Sequence, residues 1–173
     1  MPADVPALPV IRRAVTRDLP RLGTLGALLV QAHHDLDPRR FLAPSRRTPA
    51  DYESFLSTKL EDGDATVLVA EVHAEVVGYL YAAVQGYDYM SLRGPAGVLH
   101  DLVVFPEYRG RGIGGLLVNA ALAYLKARGA PRVVLSTADG NQAAQRLFAR
   151  IGFRRTMVEM TRELEGETST DET

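Results

Sequence analysis

The stretch FPEYRGRGIGGLL, residues 105–117, places Gly110, Gly112 and Gly115 at the spacing G-x-G-x-x-G, with a helical apolar pattern directly behind it. Residues without a Cβ let consecutive backbone NH groups turn toward a ligand. A helix starting behind them adds partial positive charge, so the segment predicts an anion site at the end of a strand. Its surroundings bear on which anion. A dinucleotide fold opens with such a turn and needs a second nucleotide-binding half. Here only residues 116–173, 58 in all, follow, and Pro106, Glu107, Tyr108 and Arg109 stand between strand and first glycine. Asp139, about 20 residues on and behind a predicted strand, occupies the place of a ribose-binding acid and keeps a nicotinamide dinucleotide open. A glycine turn that merely starts a helix is another reading, although it leaves Arg109 and Arg111 unexplained. A pyrophosphate cradle, with arginines neutralising what the helix terminus does not, uses all of these residues and requires no metal.

The remaining chain is long enough for one core: 173 residues, 46% of them hydrophobic. A single domain over residues 1–164 is expected, followed by EGETSTDET (165–173), an acidic polar tail of disordered composition. Twenty Lys and Arg against 21 Asp and Glu leave a net charge of -1, so neither nucleic acid nor an anionic membrane is an expected partner. There is no cysteine, which excludes disulfides, thiolate nucleophiles and Cys-ligated zinc. No apolar run approaches the roughly 18 residues of a membrane span, and MPADVPALPVIRR lacks the order of a signal peptide. Cytoplasmic location is the default expectation.

Element signals run in a definite order. VIRRA (10–14) reads as a strand, and a helix starts near Thr16 and Asp18, passes through Pro20 and ends near Gln31. HHDLDPRRFLAPSRR reads as a loop, and TPADYESFLSTKL as a helix with Thr48 as N-cap and Pro49 at its first position. TVLVAEV (66–72) and VVGYLYAAV (76–84) flank a polar turn as a hairpin, and GVLHDLVVF (97–105) is the strand entering the glycine loop. Ile113, Leu116, Leu117, Ala120, Ala121, Tyr124 and Leu125 recur at helical spacing. RVVLSTA is a strand, NQAAQRLFARIGF a helix stopped by Gly152, and RRTMVEMTREL a closing strand. The expected order is β-α-α-β-β-β-α-β-α-β: an α/β (α+β) fold with a central mixed, twisted sheet flanked by helices.

LVVFPEYRGRGIG, then an amphipathic helix, a strand and NQAAQRLFARIGF, resembles the GNAT superfamily of N-acetyltransferases. Its signature is R/Q-x-x-G-x-G/A with a later N-x-x-A-x-x-L-(Y/F)-x-x-x-G-F. The likeness is strong over residues 97–153, and the element order agrees from about residue 10. The resemblance implies acetyl-CoA as co-substrate, with backbone groups of Leu102, Val103 and Val104 along its pantetheine arm. It implies that Arg109, Gly110, Arg111, Gly112, Ile113, Gly114 and Gly115 hold the pyrophosphate and that Asn141 contacts the arm. Asn141 is also a good N-cap for the helix it opens. No metal is implied, the acceptor is a small-molecule amine or a protein amino group, and association as a homodimer through the last strand is expected.

The chain departs from the family at two positions. Phe148 stands where many members carry a tyrosine general acid, and Ser136 where some carry a base glutamate, so neither role carries over. A second family base position falls on His100, with Asp101 beside it. A regular strand would turn these two to opposite faces. Histidine suits proton removal near neutrality. Tyr87 and Tyr89, with His33, His34, Asp35 and Asp37, lie in segments expected to border the acceptor site or to be solvated loops; adjacent histidines without a further partner set do not make a metal site. The missing tyrosine and glutamate keep open a non-catalytic acyl-CoA-binding sensor domain.

Overall fold

A computed structural model describes residues 8–164; the acidic tail lies outside the described residues. Five strands form one sheet in sequential order: β1 (Val10–Arg13), β2 (Ala65–Val72), β3 (Glu75–Gln85), β4 (Ala96–Val104) and β5 (Val133–Leu135). Pairing is antiparallel from β1 through β4 and parallel between β4 and β5. The helices are α1 (Leu19–Leu36), α2 (Thr48–Leu60), α3 (Ile113–Ala127) and α4 (Gln142–Ile151).

Both faces of the sheet are covered, which is why β2 and β3 read as nearly continuous apolar runs. On one face α3 buries Ile113, Leu117, Val118, Ala121 and Leu125, a stripe at helical spacing, with Phe148 of α4 beside it. On the other face Leu22 and Leu25 of α1 and Leu56 of α2 are fully enclosed with Tyr79. Each such leucine contributes about 1.5–3 kcal/mol by burial. Asp18 does not serve as a simple cap. It takes the Arg12 guanidinium at 2.7 and 3.0 Å and the Val15 NH at 2.9 Å, and Arg12 holds its carboxyl below the ordinary range.

Three expectations need correction. Helix α1 does not stop near Gln31 but continues to Leu36, so His33 and His34 belong to its last turn. Residues 154–164 form no strand, because they find no ladder partner; Met157, Val158, Met160 and Leu164 are exposed and β5 remains the sheet edge. Finally, β4 is not regular. Tyr81 pairs with Asp101 and Ala82 with Leu99, which leaves His100 as an extra residue in a bulge. A bulge lets two consecutive side chains share a face. His100 accordingly stacks on Tyr81 while Asp101 bonds to Tyr79, both on the α1–α2 side.

Candidate active site

The parallel ladder between β4 and β5 is short. It joins Gly97, Val98 and Leu99 to Val133, Val134 and Leu135 and then ends, so His100 through Val104 have no β5 partner. The two strands part there, and a cavity occupies the opening, with Leu102, Ser136, Asn141 and Phe148 among its lining. A second cavity lies on the α1–α2 side, bordered by Val30, Phe41, Leu42 and Tyr52. Leu29, His33, His100 and Asp101 line both, so the cavities meet over the β4 bulge.

Where β4 ends, the chain passes a 3-10 turn (Pro106–Tyr108) and enters the glycine loop. Arg109 Nε donates to Val104 O at 2.9 Å, pinning the loop to the strand end. Gly110 and Gly112 have φ of 75° and 79°, in the left-handed region, and a Cβ on either would meet open space. Gly112 caps α3, whose first backbone bond runs from Leu116 N to Gly112 O at 3.1 Å. The NH groups of Ile113, Gly114 and Gly115 therefore have no helix partner. Arg111 lies over the Tyr108 ring and donates to Glu107 O at 3.0 Å. This region fits a pyrophosphate: NH groups without a helix partner, a helix terminus, two arginines and open space at Gly110 and Gly112. Asn141 caps α4 by accepting from Ala144 N at 3.1 Å and also lines the cavity.

At the junction, Asp101 Oδ2 accepts hydrogen bonds from Tyr79 at 3.0 Å and Tyr52 at 3.2 Å. Its Oδ1 has no hydrogen-bond partner, yet among the described residues the one fully enclosed, unpartnered side-chain oxygen is Thr66 Oγ1. Oδ1 is therefore not fully enclosed, and Asp101 lines both cavities. Burial raises the Asp101 pKa, while the two phenols and His33 oppose the rise. Burial and then the Asp101 charge push both phenols up, so they stay protonated donors.

His100 stacks on Tyr81 at 4.7 Å, and burial followed by the charge of Lys59 lowers its pKa. Both effects favour its uncharged form. Gln85 lies 3.3 Å from His100 Nε2 through its own Nε2, its Oε1 being occupied by Arg93 at 2.9 Å. An amide NH2 only donates, so His100 Nε2 accepts and the ring proton sits on Nδ1. His33 Nδ1 donates to Leu29 O at 2.9 Å, and its ring meets Phe41 edge-on.

Tyr87 and Tyr89 stack on each other in an exposed loop and line neither cavity. His34, Asp35 and Asp37 line neither cavity either. Among the described residues no group of three or more metal-ligating side chains comes together. Tyr52 had no motif around it. The available signal was Gly23 and Gly26, one turn apart on α1, which let α2 approach closely enough to bring Tyr52 to β4.

A mixed sheet opened between its parallel strands, with an anion cradle at the mouth of the opening, is the architecture of GNAT-fold acyltransferases. The chain belongs to the acetyltransferase (GNAT) family, whose model matches residues 29–153. It is 33% identical over 138 residues to a mycothiol acetyltransferase of Thermobispora bispora, covering 72% of this chain but 45% of that relative. The chain thus spans less than half the length of that curated relative. Among solved structures, a tetramutant of the BH1408 protein from Bacillus halodurans superposes with a TM-score of 0.77 at 24% identity, covering 90% of this chain and 99% of the other. The aminoglycoside N-acetyltransferase AAC(6')-Iy in complex with CoA gives 0.70 at 18% identity, covering 95% and 99%. At these identities the likeness concerns the fold.

Proposed function

We propose that this chain transfers the acetyl group of acetyl-CoA to a primary amine by direct attack in a ternary complex. The observation that carries the reading is the meeting of two cavities over the β4 bulge, one reached from the β4–β5 opening and one from the α1–α2 side. Backbone groups of Leu102, Val103 and Val104 would hold the pantetheine arm, residues Arg109 through Gly115 the pyrophosphate, and Asn141 the arm near α4. Bound there, acetyl-CoA supplies the thioester. The acceptor first gives one ammonium proton to the protein or solvent; its nitrogen then bonds to the carbonyl carbon, the carbon–sulfur bond breaks, and the second proton shed by the nitrogen goes to the departing CoA sulfur, which leaves as the thiol. An amine of lysine-like pKa, about 10.4, must lose its proton before attack. His100 and Asp101 stand where that proton would be taken. The mycothiol acetyltransferase relative favours a small-molecule acceptor over a protein amino group.

Free-thiol detection during incubation with acetyl-CoA and an amine library tests the reading. Release of CoA only when amine is present is expected; tight acetyl-CoA binding without release identifies a sensor domain. Calorimetry should detect acetyl-CoA but not NADH. A homodimer belongs to the same proposal, because β5 is an edge strand and the exposed Met157, Val158 and Met160 follow it in the chain. Light scattering showing a monomer at tens of micromolar would remove it.

A further inference from the structure

The acceptor half of the site has a chemical character of its own. Leu29, Val30, Phe41 and Leu42 supply its apolar lining, and His33, Tyr52, His100 and Asp101 supply its polar lining. Among the described residues no lysine or arginine lines either cavity. A carboxylate or phosphate on the acceptor would meet the charge of Asp101 with nothing to neutralise it, in surroundings where such repulsion is poorly screened. A polyhydroxylated body would lay hydroxyls against Leu29, Val30, Phe41 and Leu42, which return no hydrogen bonds, and would find polar partners only on the side of His33, Tyr52, His100 and Asp101. An ammonium on an apolar body suits both ends of the cleft.

The carboxylate is also oriented. Both phenols bond to the same oxygen, Oδ2, which holds that side of the group and leaves Oδ1 as the oxygen available to an acceptor. Tyr79 is held within β3, whereas Tyr52 arrives from α2 across the glycine contact with α1. His100 next door has its Nε2 lone pair occupied by Gln85. Resting on the transferase reading above, we infer that the cleft selects a monocationic amine with an apolar, aromatic-sized body, that Asp101 Oδ1 receives its ammonium and accepts its proton, and that Tyr52 is the positioning residue. The groups facing Asp101 are Tyr52 from α2, Tyr79 and Tyr81 from β3, His33 from α1 and neighbouring His100, with Lys59 and Asp62 farther out, against His100 and Tyr81 respectively.

The test uses the full chain with acetyl-CoA and three acceptors: 2-phenylethylamine, phenylalanine and glucosamine. Phenylethylamine should exceed the other two in kcat/KM by at least about tenfold; equal or reversed preference overturns the inference. Asp101→Asn should lower kcat by roughly 10² to 10⁴ and abolish the acid limb of the pH profile, with acetyl-CoA affinity retained by calorimetry. An acid limb that survives in this variant assigns the proton to His33 or His100 and overturns it. Tyr52 donates to the ionised carboxylate, so Tyr52→Phe should move the acid limb to higher pH and raise KM for phenylethylamine. An unmoved limb makes Tyr52 merely structural. Failure to bind acetyl-CoA overturns the transferase reading itself; binding without CoA release in the presence of phenylethylamine overturns this inference, and the transferase reading falls with it only if the amine library releases no CoA either.

Discussion

Gly26 of α1 lies beneath the ring of Tyr52 of α2, so close that a Cβ at position 26 would stand 2.1 Å from Tyr52 Cδ1. The contact joins packing to function, since the same ring carries the phenol that bonds to Asp101. Gly26→Ala gains up to about 1 kcal/mol of helix propensity. The overlap costs about 1–3 kcal/mol as overpacking and falls on a ring rather than on a flexible chain end. The overlap should win. The variant is expected to melt at lower temperature than wild type and to show a raised amine KM at unchanged acetyl-CoA affinity. A variant with wild-type amine kinetics would separate the α1–α2 contact from the site.

Gly112 carries a different constraint. Its φ of 79° lies where a β-branched residue is strained by about 1–3 kcal/mol, and a Cβ there would stand in the open space beside the loop that opens α3. Gly112→Val should lose acetyl-CoA binding in calorimetry while circular dichroism still reports a folded chain. Retained affinity in a folded variant would remove the pyrophosphate cradle from this loop.

How much of this was legible in the sequence depends on whether the cause was local. The glycine loop and α3 were, because Gly110, Gly112 and the stripe from Ile113 to Leu125 are set by neighbours in the chain. The bulge at His100 was not: it arises from register against Tyr81 and Ala82 of β3, and nothing in LHDL marks it. The alternation of Val158 and Met160 read as a strand, but a strand exists only where a partner edge accepts it, and none does here. Pro38 and its charged neighbours break the helical pattern and read as a loop that includes His33; α1 uses that break as its end, at Leu36. Asp101 and Tyr52 are 49 positions apart and meet through α2 packing against α1, which no motif spells out.

The Asp101 carboxyl predicts a pH dependence of stability whose sign can be worked out. Burial raises its folded pKa above the ordinary 3.8, so the native state holds the proton more tightly than the unfolded chain. Its contribution is therefore fully present below the unfolded value and is lost as pH rises through the folded one. Asp101→Asn keeps an acceptor for the phenols and has nothing to ionise. Its melting temperature relative to wild type should climb as pH rises above the ordinary carboxylate value of about 4. A difference that stays flat over this range would show that Asp101 ionises without cost.

His100 offers the sharpest contrast with its neighbour. Its folded pKa is lowered, so its effect on stability is present above the ordinary value of 6.5 and declines as pH falls toward the folded value. In the neutral form its Nε2 already accepts from Gln85, and the Nδ1 proton leaves no second lone pair for the acceptor. His100→Ala removes the stack on Tyr81 and opens the junction to water. It should raise amine KM and lower kcat/KM by no more than about tenfold, with the acid limb still in place, because a lost general base costs 10² to 10⁴ and this change does not remove one. Full pH profiles of His100→Ala beside Asp101→Asn decide the matter. If the limb disappears with His100 and persists without Asp101, the histidine takes the proton, and Gln85 must then turn away from Nε2 when the acceptor binds.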